Sequence, residues 1–144
     1  MAEMISELLD WREMLRYLTG IADVDAEWEL YEVDNAGWVA TGDNGIAINE
    51  DAERFLIKYE LWDGPPPPLD SWDSSWSGSV RFTSGKVYAV SVHSGDSSYG
   101  AEFDLGRPDS VWQVRVHRKS LGHEEFTPEI VGFALLKLQF WLQP

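Results

Sequence analysis

Hydrophobic residues open the chain at helical spacing. Met4, Ile5, Leu8, Leu9, Leu15 and Leu18, with Arg12 among them, recur every three or four positions. Glu3, Glu7, Asp10 and Glu13 fall mostly off that face. This period predicts an amphipathic N-terminal α-helix over residues 4–19, with Gly20 as its stop.

The period then shortens to two. Ala22, Val24, Ala26, Trp28 and Leu30 alternate with Asp23, Asp25, Glu27 and Glu29. That alternation predicts a strand with an apolar face turned in and a carboxylate face turned out. Asp34-Asn35-Ala36-Gly37 and Asp43-Asn44-Gly45 have turn chemistry suited to positive φ, so 38–41 and 46–48 read as hairpin partners. Residues 55–62 alternate again. Four prolines, Pro65 to Pro68, then lack the N–H a ladder needs, which predicts a rigid extended loop over 63–76 inside one domain. Ser71, Ser74, Ser75, Ser77 and Ser79 fit turn formation there. Further strands are expected at 78–82, 87–93, 101–105 and 111–118. Ser84-Gly85 and Ser94-Gly95-Asp96 mark turns between them. Residues 131–142 are the most apolar and belong at the centre of a sheet. The pattern predicts a mainly β chain: a single-domain antiparallel β-sandwich over 1–144, with an N-terminal α-helix and a β-rich part at 22–143.

Composition narrows the class. The 144 residues are 44% apolar and 25% charged, with eight tryptophans and no cysteine. That is a globular composition at single-domain size. Absence of cysteine removes disulfide and thiolate chemistry and fits a reducing compartment. No apolar run approaches the ~20 residues that span a bilayer, and the acidic N-terminus lacks the basic region of a signal peptide. A cytoplasmic protein without membrane association is expected.

Charge sharpens this further. Residues 1–75 hold 18 Asp/Glu and 4 Lys/Arg, a difference of −14, while residues 76–144 hold 7 of each. The whole formal charge of −14 therefore lies in the first half. Such a field repels nucleic acid and anionic membrane and steers basic protein surfaces. On a strand, Asp23, Asp25, Glu27 and Glu29 would stand about 6–7 Å apart, twice the rise per residue. That resembles the spacing of successive phosphates along a nucleic-acid strand, a row that the basic groove of a nuclease is built to receive. Glu32 and Asp34, just beyond, are counted with them as candidate partner-binding residues. The plainer reading is a solvated face whose like charges block edge pairing.

Other chemistry finds little support. Asp23-Val24-Asp25-Ala26-Glu27 approaches a calcium loop, but Trp28 stands where glycine is required. His93, His117 and His123 have no metal-ligand spacing beyond His123-Glu124-Glu125. No Gly-x-Ser-x-Gly elbow is present, and Gly95 to Gly100 lacks the Lys-Ser/Thr ending of a phosphate loop. No cofactor, no metal and no enzymatic activity are expected. Trp62, Trp72 and Trp76, with Asp70 and Asp73, form an aromatic loop over 62–76. It could stack on sugars or anchor a protein interface, or simply pack against the prolines. A carbohydrate-binding module or hydrolase using this loop is the alternative reading, and a structural scaffold component of a bacterial assembly is another. Arg115 alternates with Val114 and Val116 and should point off the core. With Arg107, Arg118 and Lys119 it is placed to pair with acids of the first half.

One order of motifs resembles a known family. Leu61-Trp62-Asp63-Gly64-Pro65-Pro66-Pro67 is followed by Leu69-Asp70-Ser71-Trp72-Asp73 and Gly78-Ser79-Val80-Arg81-Phe82-Thr83-Ser84-Gly85-Lys86-Val87. Then come Trp112-Gln113-Val114-Arg115-Val116-His117 and Leu138-Gln139-Phe140-Trp141-Leu142. This succession, over residues 55–143, resembles the competence protein J family and its actinobacterial relatives. They are small bacterial proteins whose type member inhibits a nuclease acting on incoming DNA. In the relatives a Pro-Gly-x-Tyr pattern precedes the Arg-Val strand, whereas here Arg107-Pro108-Asp109-Ser110-Val111-Trp112 stands in its place. The resemblance implies a β-sandwich-like binding protein, and the acidic first half lies outside it. The leading expectation is a non-enzymatic acidic inhibitor or immunity protein. Its partner would be a basic protein, a nuclease or toxin, bound without direct contact to nucleic acid.

Overall fold

The structure, a computed structural model, describes residues 2–9, 16–33, 37–49, 54–93, 96–120 and 133–142. Among the described residues, eleven strands form two sheets. The first contains β1 (Ala2–Leu9), β5 (Arg54–Leu61), β6 (Ser74–Phe82), β10 (Ser110–Ser120) and β11 (Phe133–Leu142), in the order β1-β5-β11-β10-β6. The second contains β2 (Arg16–Asp23), β3 (Val39–Gly42), β4 (Gly45–Ile48), β7 (Lys86–His93) and β8 (Asp96–Tyr99), in the order β3-β4-β2-β7-β8. The short β9 (Phe103–Asp104) pairs with β7 off that path.

The two sheets face each other across one apolar core. Ile57, Tyr59, Val80, Phe82, Val114, Leu136 and Phe140 come from the first sheet, and Ile21, Val39, Ile46, Val87 and Phe103 from the second. Tyr59 stacks on Phe103 across the gap at 5.2 Å between ring centroids. Alternation sets which residues enter: along β6, Val80 and Phe82 are buried while Ser79 and Arg81 are exposed.

Several expectations hold. The hairpin β3–β4, the strands β5, β7 and β10, and the central position of the apolar β11 all follow the sequence pattern. Others are corrected. In place of a helix over 4–19, residues 2–9 and 16–23 are strands. β1 pairs with β5 from Ala2↔Leu61 to Leu9↔Arg54, and β2 lies between β4 and β7. Gly20 does not stop a helix. It sits inside β2, where an added Cβ would lie 2.2 Å from the Ile46 carbonyl oxygen.

The strand expected over 22–30 ends at Asp23, and Glu27–Glu32 form a short 3-10 helix. Nor is the architecture wholly antiparallel, because β5 and β11 run parallel. The loop of 63–76 ends early: Ser74, Ser75, Ser77 and Ser79 belong to β6 instead of a turn. Asp96 opens β8, and the strand expected at 101–105 contracts to β9. Asp34 and the His123-Glu124-Glu125 segment lie outside the described residues.

The 3-10 helix is placed by small residues. Gly20 and Ala22 of β2, with Gly45 and Ala47 of β4, leave a shallow trough on the outer face of the second sheet. Leu30 fills it, packing with Ala22, Ala47 and Val90. A Cβ on Gly45 would fall 2.9 Å from both Cα and Cδ1 of Leu30.

Candidate functional site

A 3-10 helix has three residues per turn, so side chains three apart share a column. The first column is Glu27 and Leu30, facing the sheet. Leu30 is buried, and Glu27 reaches two tyrosines that rise from the outer face of β7 and β8. Tyr88 Oη donates to Glu27 Oε1 at 3.3 Å, and Tyr99 Oη donates to Oε2 at 3.4 Å. The two rings lean together at 5.2 Å.

The second column is Trp28 and Tyr31, which point away from the sheet. They are 62% and 51% exposed, and Tyr99 beside them is 51% exposed. Among the described residues these are three of the five large apolar side chains left open to solvent. Burial raises the Tyr31 hydroxyl pKa, and the Glu27 carboxylate and Tyr99 raise it further. The same causes, burial first, push Tyr88 up to about 12. Both hydroxyls therefore remain neutral donors at physiological pH.

The third column is Glu29 and Glu32, beside the β3–β4 turn. They line a crevice of about 170 Å³ with Val33, Gly42 and Asp43. Glu29 Oε2 accepts a hydrogen bond from Nδ2 of the buried Asn44. Among the described residues, no group of three or more His, Asp or Glu side chains is arranged to hold a metal ion.

The carboxylates expected to form one outward row therefore have separate fates. Asp23 is fully buried, contrary to its expected outward position. Its Oδ2 accepts from Ser84 N (2.9 Å), Ser84 Oγ (3.0 Å) and Gly85 N (3.2 Å), and its Oδ1 from Asp25 N (2.9 Å). Asp25 and Glu32 are exposed, and Glu27 and Glu29 are half-buried. The reason is topological: a strand of nine residues would place all four on one face, but the chain turns at Asp23. The signal that sequence reasoning missed is the aromatic one. On the predicted strand Trp28 and Tyr31 would point to opposite faces, whereas in the 3-10 helix they share a column, and sheet pairing of β8 with β7 brings Tyr99 beside them.

The tryptophan loop meets a different surface. Trp62, Trp72 and Trp76 are all half-buried, while Asp70 and Asp73 are exposed. The loop lies over the outer face of the first sheet, where Pro66 is buried and Arg115 Nη1 donates to its carbonyl oxygen at 3.0 Å. Arg115 points off the core as expected, but its guanidinium stands over the Trp141 ring at 5.4 Å. The Trp72 ring lies 5.8 Å from the His117 ring, and Lys137 Nζ stands 5.6 Å over its face. Trp76 packs against the core.

Beneath this loop a hydrogen-bonded polar chain runs from the buried Glu60, Gln139 and His117 to the exposed Ser75. Glu60 Oε1 accepts from Trp62 Nε1 and from Gln139 Nε2, both at 2.9 Å. Gln139 Oε1 lies 2.8 Å from His117 Nε2, and His117 Nδ1 lies 2.7 Å from Ser75 Oγ. An ionised Glu60 only accepts, so Gln139 must present its amide to it and its oxygen to His117. That fixes the proton of neutral His117 on Nε2 and makes Ser75 the donor to Nδ1. Trp62 and Trp72 are thus engaged with polar and cationic side chains on this outer face, while Trp76 faces the core.

The class this defines is a two-sheet β protein with an acidic, aromatic 3-10 helix docked outside its second sheet. No family model matches the chain, and no curated protein sequence does. Among solved structures it is similar to ComJ of Bacillus subtilis, described as an inhibitor of the DNA degrading activity of NucA. The TM-score is 0.58 at 12% identity, covering 99% of this chain and 96% of ComJ. A second similar structure is the product of crocagin biosynthetic gene J, with a TM-score of 0.49 at 13% identity and all of both chains covered. At these identities the likeness to ComJ is one of fold. No helix among the described residues is long and apolar enough to cross a membrane.

Proposed function

We propose that this protein is a non-enzymatic, acidic binding protein that neutralises a basic, nuclease-like partner, as an inhibitor or immunity protein. The observation that carries this reading is the 3-10 helix. It presents exposed Trp28 and Tyr31 between the carboxylates of Asp25, Glu27 and Glu32. Exposed aromatics rimmed by charge are the usual composition of a protein-binding hot spot, and a single sign of charge selects a partner of the other sign. The fold shared with a nuclease inhibitor supports the same reading. The residues proposed to meet the partner are Asp25, Glu27, Trp28, Tyr31, Glu32 and Tyr99. Asp23 serves the fold.

The test is a DNA-degradation assay with a purified basic nuclease from the same organism, titrated with this protein. Inhibition should be stoichiometric and weaken steeply between low and physiological salt. Asp25→Lys with Glu32→Lys should slow association about tenfold or more. Absence of inhibition at low salt, or inhibition unchanged in that double variant, would remove the acidic face from the mechanism.

A further inference from the structure

The aromatic cluster around Glu27 is more specific than a negative field requires. Glu27 accepts two hydrogen bonds among the described residues, from Tyr88 and Tyr99, and both are long at 3.3 and 3.4 Å. Each carboxylate oxygen is left with acceptor capacity. Tyr88 and Tyr99 lean on each other beside that carboxylate, Tyr31 is close enough to feel both the Glu27 charge and Tyr99, and Trp28 opens to solvent from the same column of the helix as Tyr31.

From this juxtaposition of a two-oxygen acceptor with exposed aromatic rings, we propose that the face built by Glu27, Trp28, Tyr31 and Tyr99 receives an arginine side chain of the partner protein. The inference rests on the reading of this protein as a binder of a basic partner, and it names the group by which that partner is held. A guanidinium is flat, stacks on aromatic rings, and donates along a fork matched to the two oxygens of a carboxylate. A lysine ammonium carries the same charge without the plane or the fork. The site therefore discriminates between two cations that the surrounding acids would attract equally. Its geometry is fixed in advance. Leu30 holds the helix in its trough, and the paired strands β7 and β8 carry the two tyrosines. The arginine therefore meets an ordered site.

The experiment uses fluorescently labelled hexa-arginine and hexa-lysine peptides, titrated into the intact protein at fixed low ionic strength and read by anisotropy. Hexa-arginine should bind about fivefold more tightly, the ratio expected of one added cation–π contact of ~1 kcal/mol. The double variant Tyr31→Leu/Tyr99→Leu keeps the net charge. It should bring the two affinities together while leaving hexa-lysine affinity within about twofold. Glu27→Gln should lower the arginine preference as well. Trp28→Ala gives an independent check, since that side chain is the most exposed of the four and its loss leaves the fold intact.

Equal binding of both peptides, unchanged in the tyrosine variant, overturns the arginine site and leaves the acidic face as a steering field. Failure of both peptides to bind at low salt overturns the arginine site and the basic-partner reading together.

Discussion

Asp23 and Ser84, 61 positions apart, are joined at a single carboxylate oxygen, which accepts both the backbone N–H and the hydroxyl of the serine. The same oxygen takes the N–H of Gly85, whose φ of +79° and proximity to the Arg107 carbonyl leave no room for a side chain. Asp23 thus ties the end of β2 to the β6–β7 turn. Asp23→Ala would leave buried donors without an acceptor, at a cost of about 3 kcal/mol or more. Asp23→Asn, which keeps one acceptor oxygen but no charge, should cost roughly half of that. Urea denaturation would show both as a lowered midpoint with unchanged slope. A midpoint unchanged in Asp23→Ala would contradict the structural assignment.

This bond also shows why the acidic stretch departs from the strand its alternation predicts. Alternation across 22–30 is real in the sequence, and a strand face is the natural inference from it. Which carboxylate is solvated, however, depends on where Ser84 and Gly85 arrive, and local sequence does not encode that. The N-terminal segment failed similarly. Its apolar residues fit a helical period, but helix propensity is a weak prior, and ladder bonds to β5, β4 and β7 outweigh it. Where β propensity, turn residues and alternation agreed, as in β3–β4, β5, β7, β10 and β11, the elements were legible. The 3-10 helix was hidden because six residues carry too few turns for a period to emerge.

The buried groups Glu60 and His117, joined through Gln139, make stability depend on pH in a defined direction. Burial alone would raise the Glu60 pKa, but hydrogen bonds from Gln139, Trp62 and Lys58 and the charge of Lys137 outweigh it. The result is a value of about 2, against the ordinary 4.5. A carboxylate with a depressed folded-state pKa stabilises fully above its unfolded value and loses that contribution as pH falls from about 4.5 towards 2. His117 acts in the same direction at higher pH. Its burial, reinforced by Arg115 and Lys137, holds its pKa below 6.5 against the opposing effects of Gln139 and Glu60. Below 6.5 the unfolded chain takes up a proton that the folded chain refuses, so stability falls there too.

Unfolding midpoints should accordingly decline in two stages on acidification, first below pH 6.5 and again below 4.5. Glu60→Gln should remove much of the lower stage while costing about 3 kcal/mol at neutral pH, because it leaves Lys58 and Lys137 facing a neutral group. An acid profile unaltered in Glu60→Gln would rule out this carboxylate as its source.

Leu30 should link stability to the binding face. It is 1% exposed, although it lies on the outside of a sheet, because the glycines and alanines beneath it leave space for its side chain. Gly45→Ala puts a methyl group 2.9 Å from Leu30 Cα, so the helix must lift. The expected cost is about 1–3 kcal/mol from overpacking. Unlike the exposed Trp28→Ala, this variant should also loosen the contact of Glu27 with Tyr88 and Tyr99. Hydrogen exchange across residues 27–32 should then accelerate while exchange in the strands of the first sheet stays constant.

Three carboxylates of the acidic segment, Asp25, Glu29 and Glu32, can be separated by one pair of measurements. Asp25 and Glu32 are exposed, and replacing them with Asn and Gln should change stability by no more than about 0.5 kcal/mol. Glu29 is different, since its carboxylate accepts from the side chain of Asn44. Asn44 is 3% exposed, and its Oδ1 accepts the Thr83 N–H at 2.7 Å. Glu29→Ala deprives that buried amide of its acceptor and should cost about 1–3 kcal/mol. Partner association should respond the other way round. Charge removal at Asp25 and Glu32 should weaken the salt dependence of the on-rate, because exposed charges steer encounter without holding the fold together. If instead Asp25→Asn with Glu32→Gln destabilised the protein as much as Glu29→Ala, the acids of the helix would belong to the scaffold and not to the binding face.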